Sequence, residues 1–123
     1  MRDRLAAVAL GRDAEDAVVQ ALRVDGWSVL ATNWHGGGHE LDVIASRGDA
    51  LRFVEVKSRG DGADDGLDAV DDDKVRRLVH AAEAWLADQT PEWSDMGFLV
   101  ALVHPDAGGF VIQWVDDAFD ATS

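Results

Sequence analysis

The chain has 123 residues, 47% of them hydrophobic, with five Trp, four Phe, no Cys and a formal net charge of −13. That length and apolar content suit one globular domain around a single core and exclude a disordered chain. The absence of cysteine excludes a disulfide scaffold and a thiolate metal site, and the negative charge, taken alone, opposes a nucleic-acid partner.

The opening stretch MRDRLAAVALGRD lacks the length and cleavage pattern of a signal peptide, and no apolar run is long enough to span a bilayer. A cytoplasmic protein with no membrane partner is expected. In GRDAEDAVVQALRVDG, residues Ala14, Ala17, Val18, Ala21 and Leu22 recur at spacings of three and four, the period of one buried helical face, and Gly26 closes the helix. WSVLATNW then reads as a strand and the glycines at 36–38 as a turn. ELDVIA and LRFVEVKS read as two strands of a hairpin that turns near Gly48.

From Gly60 to about Asp68 the Asp/Gly composition is that of a mobile, solvated loop. Seven aspartates fall between Asp61 and Asp73, bracketed by Lys57, Arg59, Lys74, Arg76 and Arg77, so a local basic rim on an acidic protein is compatible with the composition. The basic residues are Arg apart from Lys57 and Lys74; a high-salt cytoplasm and a GC-rich genome both produce that bias. DDDKVRRLVHAAEAWLADQ predicts a second helix with Val75, Leu78, Val79, Ala82, Trp85 and Leu86 on one stripe and acids at its start. PEWSDM connects it to two more strands, GFLVALVH and GFVIQWVDD, around the PDAGG turn.

The order is therefore helix, three strands, helix, two strands. A helical crossover between the third and fourth of those strands gives an α/β fold, a mixed central sheet flanked by helices.

Residues two apart on a strand share a face, so Glu40 and Asp42 are expected on one side with Leu41 and Val43 on the other, and Glu55 and Lys57 opposite Val54 and Val56. If the hairpin pairs these strands, Asp42 and Glu55 converge with Lys57 beside them. Two carboxylates held together repel unless a positive group joins them. A hard divalent cation such as Mg²⁺ would do so, taking waters and a substrate phosphate as its other ligands. The chemistry this points to is phosphodiester hydrolysis, with Lys57 orienting or deprotonating the attacking water or balancing charge at phosphorus. A salt-bridged cluster on an exposed sheet face is the other reading.

At these residues the sequence resembles a known family. Asp42, twelve intervening residues, then Glu55-Val56-Lys57 resemble the signature of the PD-(D/E)XK nuclease superfamily, without the proline before Asp42. GRDAEDAVVQAL, GWSVLATNW, HELDVIA, FVEVKSR, DKVRRLVHAAEAWL and DDAF, in that order, resemble the YraN family, described as predicted endonucleases distantly related to archaeal Holliday junction resolvases. The resemblance implies a restriction-endonuclease-like fold, with one nuclease-like domain over 1–123 and a mobile loop at about 60–70. It also implies a Mg²⁺-dependent endonuclease acting on DNA, including branched junctions, with Mn²⁺ able to substitute.

By resemblance, Asp42 and Glu55 are the metal ligands, Lys57 the catalytic lysine and Glu15 a further catalytic acid near the metal. Glu40 is a supporting acid, and Arg59, Lys74 and Arg77 contact nucleic acid. A homodimer would give two sites for two strands. Departures are His39 and Ala14 where the family has glycine, and Leu99 where it has Asp. Plainer readings stand beside these: Glu15 as a solvated helix residue, Glu40 as structural, and His35 and His39 as loop histidines. Lys74, Arg76 and Arg77 could simply balance nearby aspartates. The tryptophans read as core, with Trp34 the one placed to stack on a base. A catalytically silent nucleic-acid-binding or protein-interaction module that keeps the fold is the alternative function.

Overall fold

In the computed structural model, which describes residues 2–9, 13–58, 72–90, 92–106 and 108–116, the first helix begins where the sequence supplies a cap. The backbone of Asp13 is extended, and its Oδ1 accepts a hydrogen bond from the Asp16 N–H at 2.9 Å. One of the unpartnered amides of the first turn is thereby satisfied. Helix α1 runs over Ala14–Val24 and buries Ala17, Val18 and Leu22 from the expected stripe. Gly26, at φ +89°, lets its own N–H reach the Arg23 carbonyl and the Trp27 N–H reach the Leu22 carbonyl, which closes the helix in a Schellman motif.

The strands are β1 (Arg2–Ala9), β2 (Ser28–Gly36), β3 (His39–Arg47), β4 (Ala50–Ser58), β5 (Asp95–Asp106) and β6 (Gly109–Asp116), with helix α2 (Asp72–Leu86) between β4 and β5. They form one sheet in the order β1-β6-β5-β4-β3-β2. Neighbours are antiparallel except β4 and β5, which run parallel from Ala50↔Asp95 to Ser58↔Val103. From α1 onward the predicted order and the mixed sheet with helices packed on it hold, and α2 is the crossover between the parallel pair. The structure adds β1, a strand not expected from the pattern of its residues. Its alanine-rich stretch has low strand propensity, and it is held by antiparallel pairing with β6 at the sheet edge.

The two helices cover opposite faces. On the α1 side, Val43, Ala45, Val54, Leu99, Ala101 and Ile112 pack with Ala17, Val18 and Leu22. On the α2 side, Leu41, Ile44, Leu51, Phe53 and Phe98 pack with Leu78, Ala81, Ala82 and Trp85. Burying a Leu, Val or Phe side chain contributes about 1.5–3 kcal/mol, so these two layers hold the sheet. Trp85 and Trp114 are core residues, as expected. Trp34 packs against the α2-side layer with its ring folded over Gly36. A Cβ at Gly36 would collide with that ring, so a larger residue there would have to displace Trp34. The segment expected as a mobile loop and the DAF end of the DDAF block lie outside the described residues. Among the described residues, no helix is long and apolar enough to cross a membrane.

Candidate active site

The hairpin ladder between β3 and β4 runs from Arg47↔Ala50 to Val43↔Val54. Beyond Val54, β4 stays paired with β5, but the Val56 N–H donates to the Asp42 carboxylate, Oδ2, at 2.9 Å. A side chain thus takes an amide that a neighbouring strand would otherwise use, and β3 and β4 part there. Glu55 sits at this notch on an interior strand and is only 7% exposed, the buried charged residue of the described chain. A buried carboxylate needs partners to remain ionised. Its Oε2 has two: Lys74 Nζ from α2 at 3.0 Å and Lys57 Nζ from its own strand at 3.5 Å. Glu55 and Lys57 therefore share a face, as strand geometry predicts, while Val54 and Val56 pack toward α1.

On β3 the expected alternation fails. Leu41 packs on the α2 side and Val43 on the α1 side, although two residues apart they should share a face. The neighbouring strand is irregular at the same level. Asn33 has φ +50°, the left-handed region that Asn tolerates better than most residues. Ala31 and Trp34 consequently both pack on the α2 side, three residues apart. The register Thr32↔Val43 and Trp34↔Leu41 puts Asn33 opposite Asp42, so both strands break alternation at one level. Asn33 then reaches α1, where its Nδ2 donates to Glu15 Oε1 at 2.6 Å.

The electrostatics follow from this crowding of acids. Burial pushes the Asp42 carboxyl up from 3.8 to about 6, opposed by the hydrogen bond from Val56. The charge and hydrogen bond of Glu55, and the charge of Glu15, push the same way as burial. Three carboxyl groups thus act on one another across the notch, one from α1, one from β3 and one from β4. His39, at the start of β3, is held below its ordinary pKa, first by burial and then by Lys74, with Arg77 adding to this and Glu55 and Glu40 opposing. It therefore lies beside the notch as a neutral imidazole at neutral pH.

Asp42, Glu55, Lys57, Glu15 and Lys74 are brought together. Lys74, expected to contact nucleic acid, has its ammonium 3.0 Å from the Glu55 carboxylate, and no local sequence signal foretells that contact. Glu40 is apart from the acids: its carboxylate pairs with His35 Nε2 at 3.9 Å across the β2–β3 ladder. Arg76 pairs with Asp73 one turn back on α2, the balancing role anticipated for it. Arg77 is exposed on the same helix and close enough to act on His39, whereas Arg59 lies outside the described residues. Leu99 is buried in the α1-side core, so an apolar packing residue stands where the resembled family has an acid. Asn33 was missed. Its only signal was an asparagine inside a run of strand-forming residues.

The chemistry of the donor set fits a hard divalent ion. Asp42 and Glu55 interact directly, and the Asp42 carboxyl is raised first by burial and then by the charges of Glu55 and Glu15. Among the described residues, no three His, Asp or Glu side chains gather closely enough to hold an ion by themselves. The fit is accordingly to an ion such as Mg²⁺, which takes one or two carboxylates and keeps several waters.

Comparison with known proteins gives a consistent assignment. Residues 14–104 match the model of the uncharacterised protein family UPF0102. A UPF0102 protein of Parabacteroides distasonis is 39% identical over 116 residues, covering 91% of this chain and 93% of the relative. One from Nitratidesulfovibrio vulgaris is 36% identical over 115 residues, covering 93% of this chain and 86% of its own. The UPF0102 protein Franean1_1156 of Parafrankia sp. is 39% identical over 104 residues, with 83% and 87% covered. The matched span includes α1, the notch and α2, and the chain belongs to the UPF0102 family.

Proposed function

We propose that the protein is a divalent-metal-dependent endonuclease of the PD-(D/E)XK type that hydrolyses DNA phosphodiester bonds, with branched, Holliday-junction-like DNA as its substrate. The observation that carries this reading is the meeting of Asp42 and Glu55 where β3 and β4 part, with Lys57 and Lys74 on the Glu55 carboxylate.

Asp42 and Glu55 would hold the ion. A bound Mg²⁺, or Mn²⁺ in its place, supplies charge neutralisation at the phosphoryl oxygens and a more acidic water. Lys57, a compact point charge fixed by Glu55, orients the attacking water and balances charge that develops at phosphorus. Glu15, on the α1 side of Asp42, accepts a proton from that water or holds it by hydrogen bond. Lys74 and Arg77 on α2, with Arg59 just after β4, receive the phosphates that flank the scissile bond. Two copies of the chain would cut the two strands of a junction, one site each.

The test is cleavage of a synthetic four-way junction, a linear duplex and a single strand in Mg²⁺ or Mn²⁺. The wild type is expected to cut the junction only with metal, and Asp42→Ala to lose on the order of 10³-fold or more of that activity. Lys57→Ala should lose about 10²–10⁴-fold, the range for a positioned proton-transfer group. An Asp42→Ala protein that cuts as well as the wild type contradicts the reading. Salt-sensitive binding with no product, even in Mn²⁺, would identify a silent nucleic-acid-binding protein instead.

A further inference from the structure

We infer that Asn33 is a positioning residue of this site: its amide fixes Glu15 against the Asp42 side of the notch. The inference rests on the nuclease reading and adds a residue that the metal-ligand pattern does not contain.

Two observations carry it. Asn33 is the non-glycine residue with positive φ among the described residues. Such a conformation is unfavourable for an L-residue, though less so for Asn than for most, and persists where the surroundings over-determine it. Here it falls on an edge strand, where ordinary alternation would turn the residue at 33 toward α2, with Ala31. The bend instead brings the Asn33 side chain to the opposite side of the sheet, where Nδ2 donates to Glu15 Oε1 at 2.6 Å. It also carries Trp34 into the α2-side core and leaves Asn33 level with Asp42 across the ladder.

Glu15 lies in the first turn of α1 and is only partly buried, so without a partner its carboxylate would sweep through several rotamers in solvent. With Oε1 held by Asn33, the carboxylate has one orientation, and its second oxygen remains to accept a hydrogen bond from a water in the notch. A supporting group of this kind typically changes metal affinity or activity by about 10–100-fold when removed. The aspartate and glutamate that hold the ion would be untouched by the change.

Asn33→Gly provides the test, because glycine keeps the left-handed backbone and removes only the amide. Mn²⁺ affinity and junction cleavage would be measured for the wild type, Asn33→Gly, Glu15→Ala and the double variant. The ¹⁵N resonance of the Asn33 side-chain amide would be followed without metal in the wild type and Glu15→Ala. The expected result has three parts. Asn33→Gly loses about tenfold in metal affinity or kcat, with KM for DNA unchanged. The double variant is no worse than Glu15→Ala alone, and the amide resonance moves when Glu15 is removed. If Asn33→Gly matches the wild type while Glu15→Ala is impaired, or the two losses simply add, the inference is overturned and the nuclease reading stands. If Glu15→Ala is itself silent while Asp42→Ala is dead, the inference is again overturned alone. A wild type that neither binds Mn²⁺ nor cleaves overturns both.

Discussion

The two ends of the β3–β4 hairpin are built from the same kinds of residue and treat charge in opposite ways. At the closed end the Asp25 and Asp95 carboxylates each meet an arginine of the hairpin. Arg52 donates from Nη2 to both oxygens of Asp95 at 3.1 Å, and from Nη1 to the Asp95 and Leu51 carbonyls at 2.8 and 3.0 Å. Arg47 donates to the Asp25 carboxylate and carbonyl at the end of α1 and lies 4.6 Å over the Trp27 ring. The Asp49 carbonyl accepts the N–H groups of Ser94 and Asp95, tying the start of β5 to the turn. At the open end, Asp42 faces Glu55 and Glu15, the strands part, and two lysines crowd one carboxylate oxygen. The closed end pairs its arginines with carboxylates and carbonyls and contributes stability. The open end keeps acids in each other's field, an arrangement that costs the metal-free protein stability and suits an incoming cation.

This contrast can be broken from either end. The largest effect on stability is expected for Arg52→Ala, which removes a mostly buried guanidinium with four hydrogen bonds. Denaturant unfolding should show a loss of about 1–3 kcal/mol, with Mn²⁺ affinity unchanged. A fall in metal affinity of the same size would mean that the two ends are not separable.

The next effect has the opposite sign. A carboxyl raised from 3.8 to about 6 binds its proton more tightly in the folded than in the unfolded chain. Its penalty on stability is therefore absent below about pH 4, grows between about pH 4 and 6, and is fully present above. Asp42→Asn should stabilise the metal-free protein by on the order of 1 kcal/mol at pH 8, after allowance for partial solvent screening, and by much less at pH 4. Equal effects at both pH values would remove the electrostatic account of the notch. The smallest change is expected for Arg47→Ala, about 0.5–1 kcal/mol, since its ion pair is exposed and its contact with Trp27 is one cation–π interaction. Molar salt should weaken the ionic part of that contribution while leaving most of the Arg52 contribution in place.

The parts of this architecture that local rules control were legible in the sequence. Gly26 ends α1, Gly48 at φ +59° turns the hairpin, and the spacing of Asp42 from Glu55 and Lys57 brings their side chains together. What escaped the sequence depends on tertiary placement. Strand β1 is alanine-rich and forms against β6, a pairing that no local propensity announces. Lys74 reads as one more basic residue near an acidic run, and only the seating of α2 over the sheet brings its ammonium to Glu55. Strict alternation puts Leu41 and Val43 on one face, whereas they pack on opposite sides beside a left-handed residue in β2, a backbone choice that the side-chain pattern does not encode. The places where simple strand rules fail are the places where the acids gather.

The most direct measurement of the central claim is calorimetric titration of Mg²⁺ and Mn²⁺ into the wild type and the Asp42→Ala/Glu55→Ala double variant, at low and at molar salt. The account predicts binding by the wild type at both salt concentrations and none by the variant. Equal binding by the two proteins, or none by either, would contradict it and make the notch a structural ion-pair cluster.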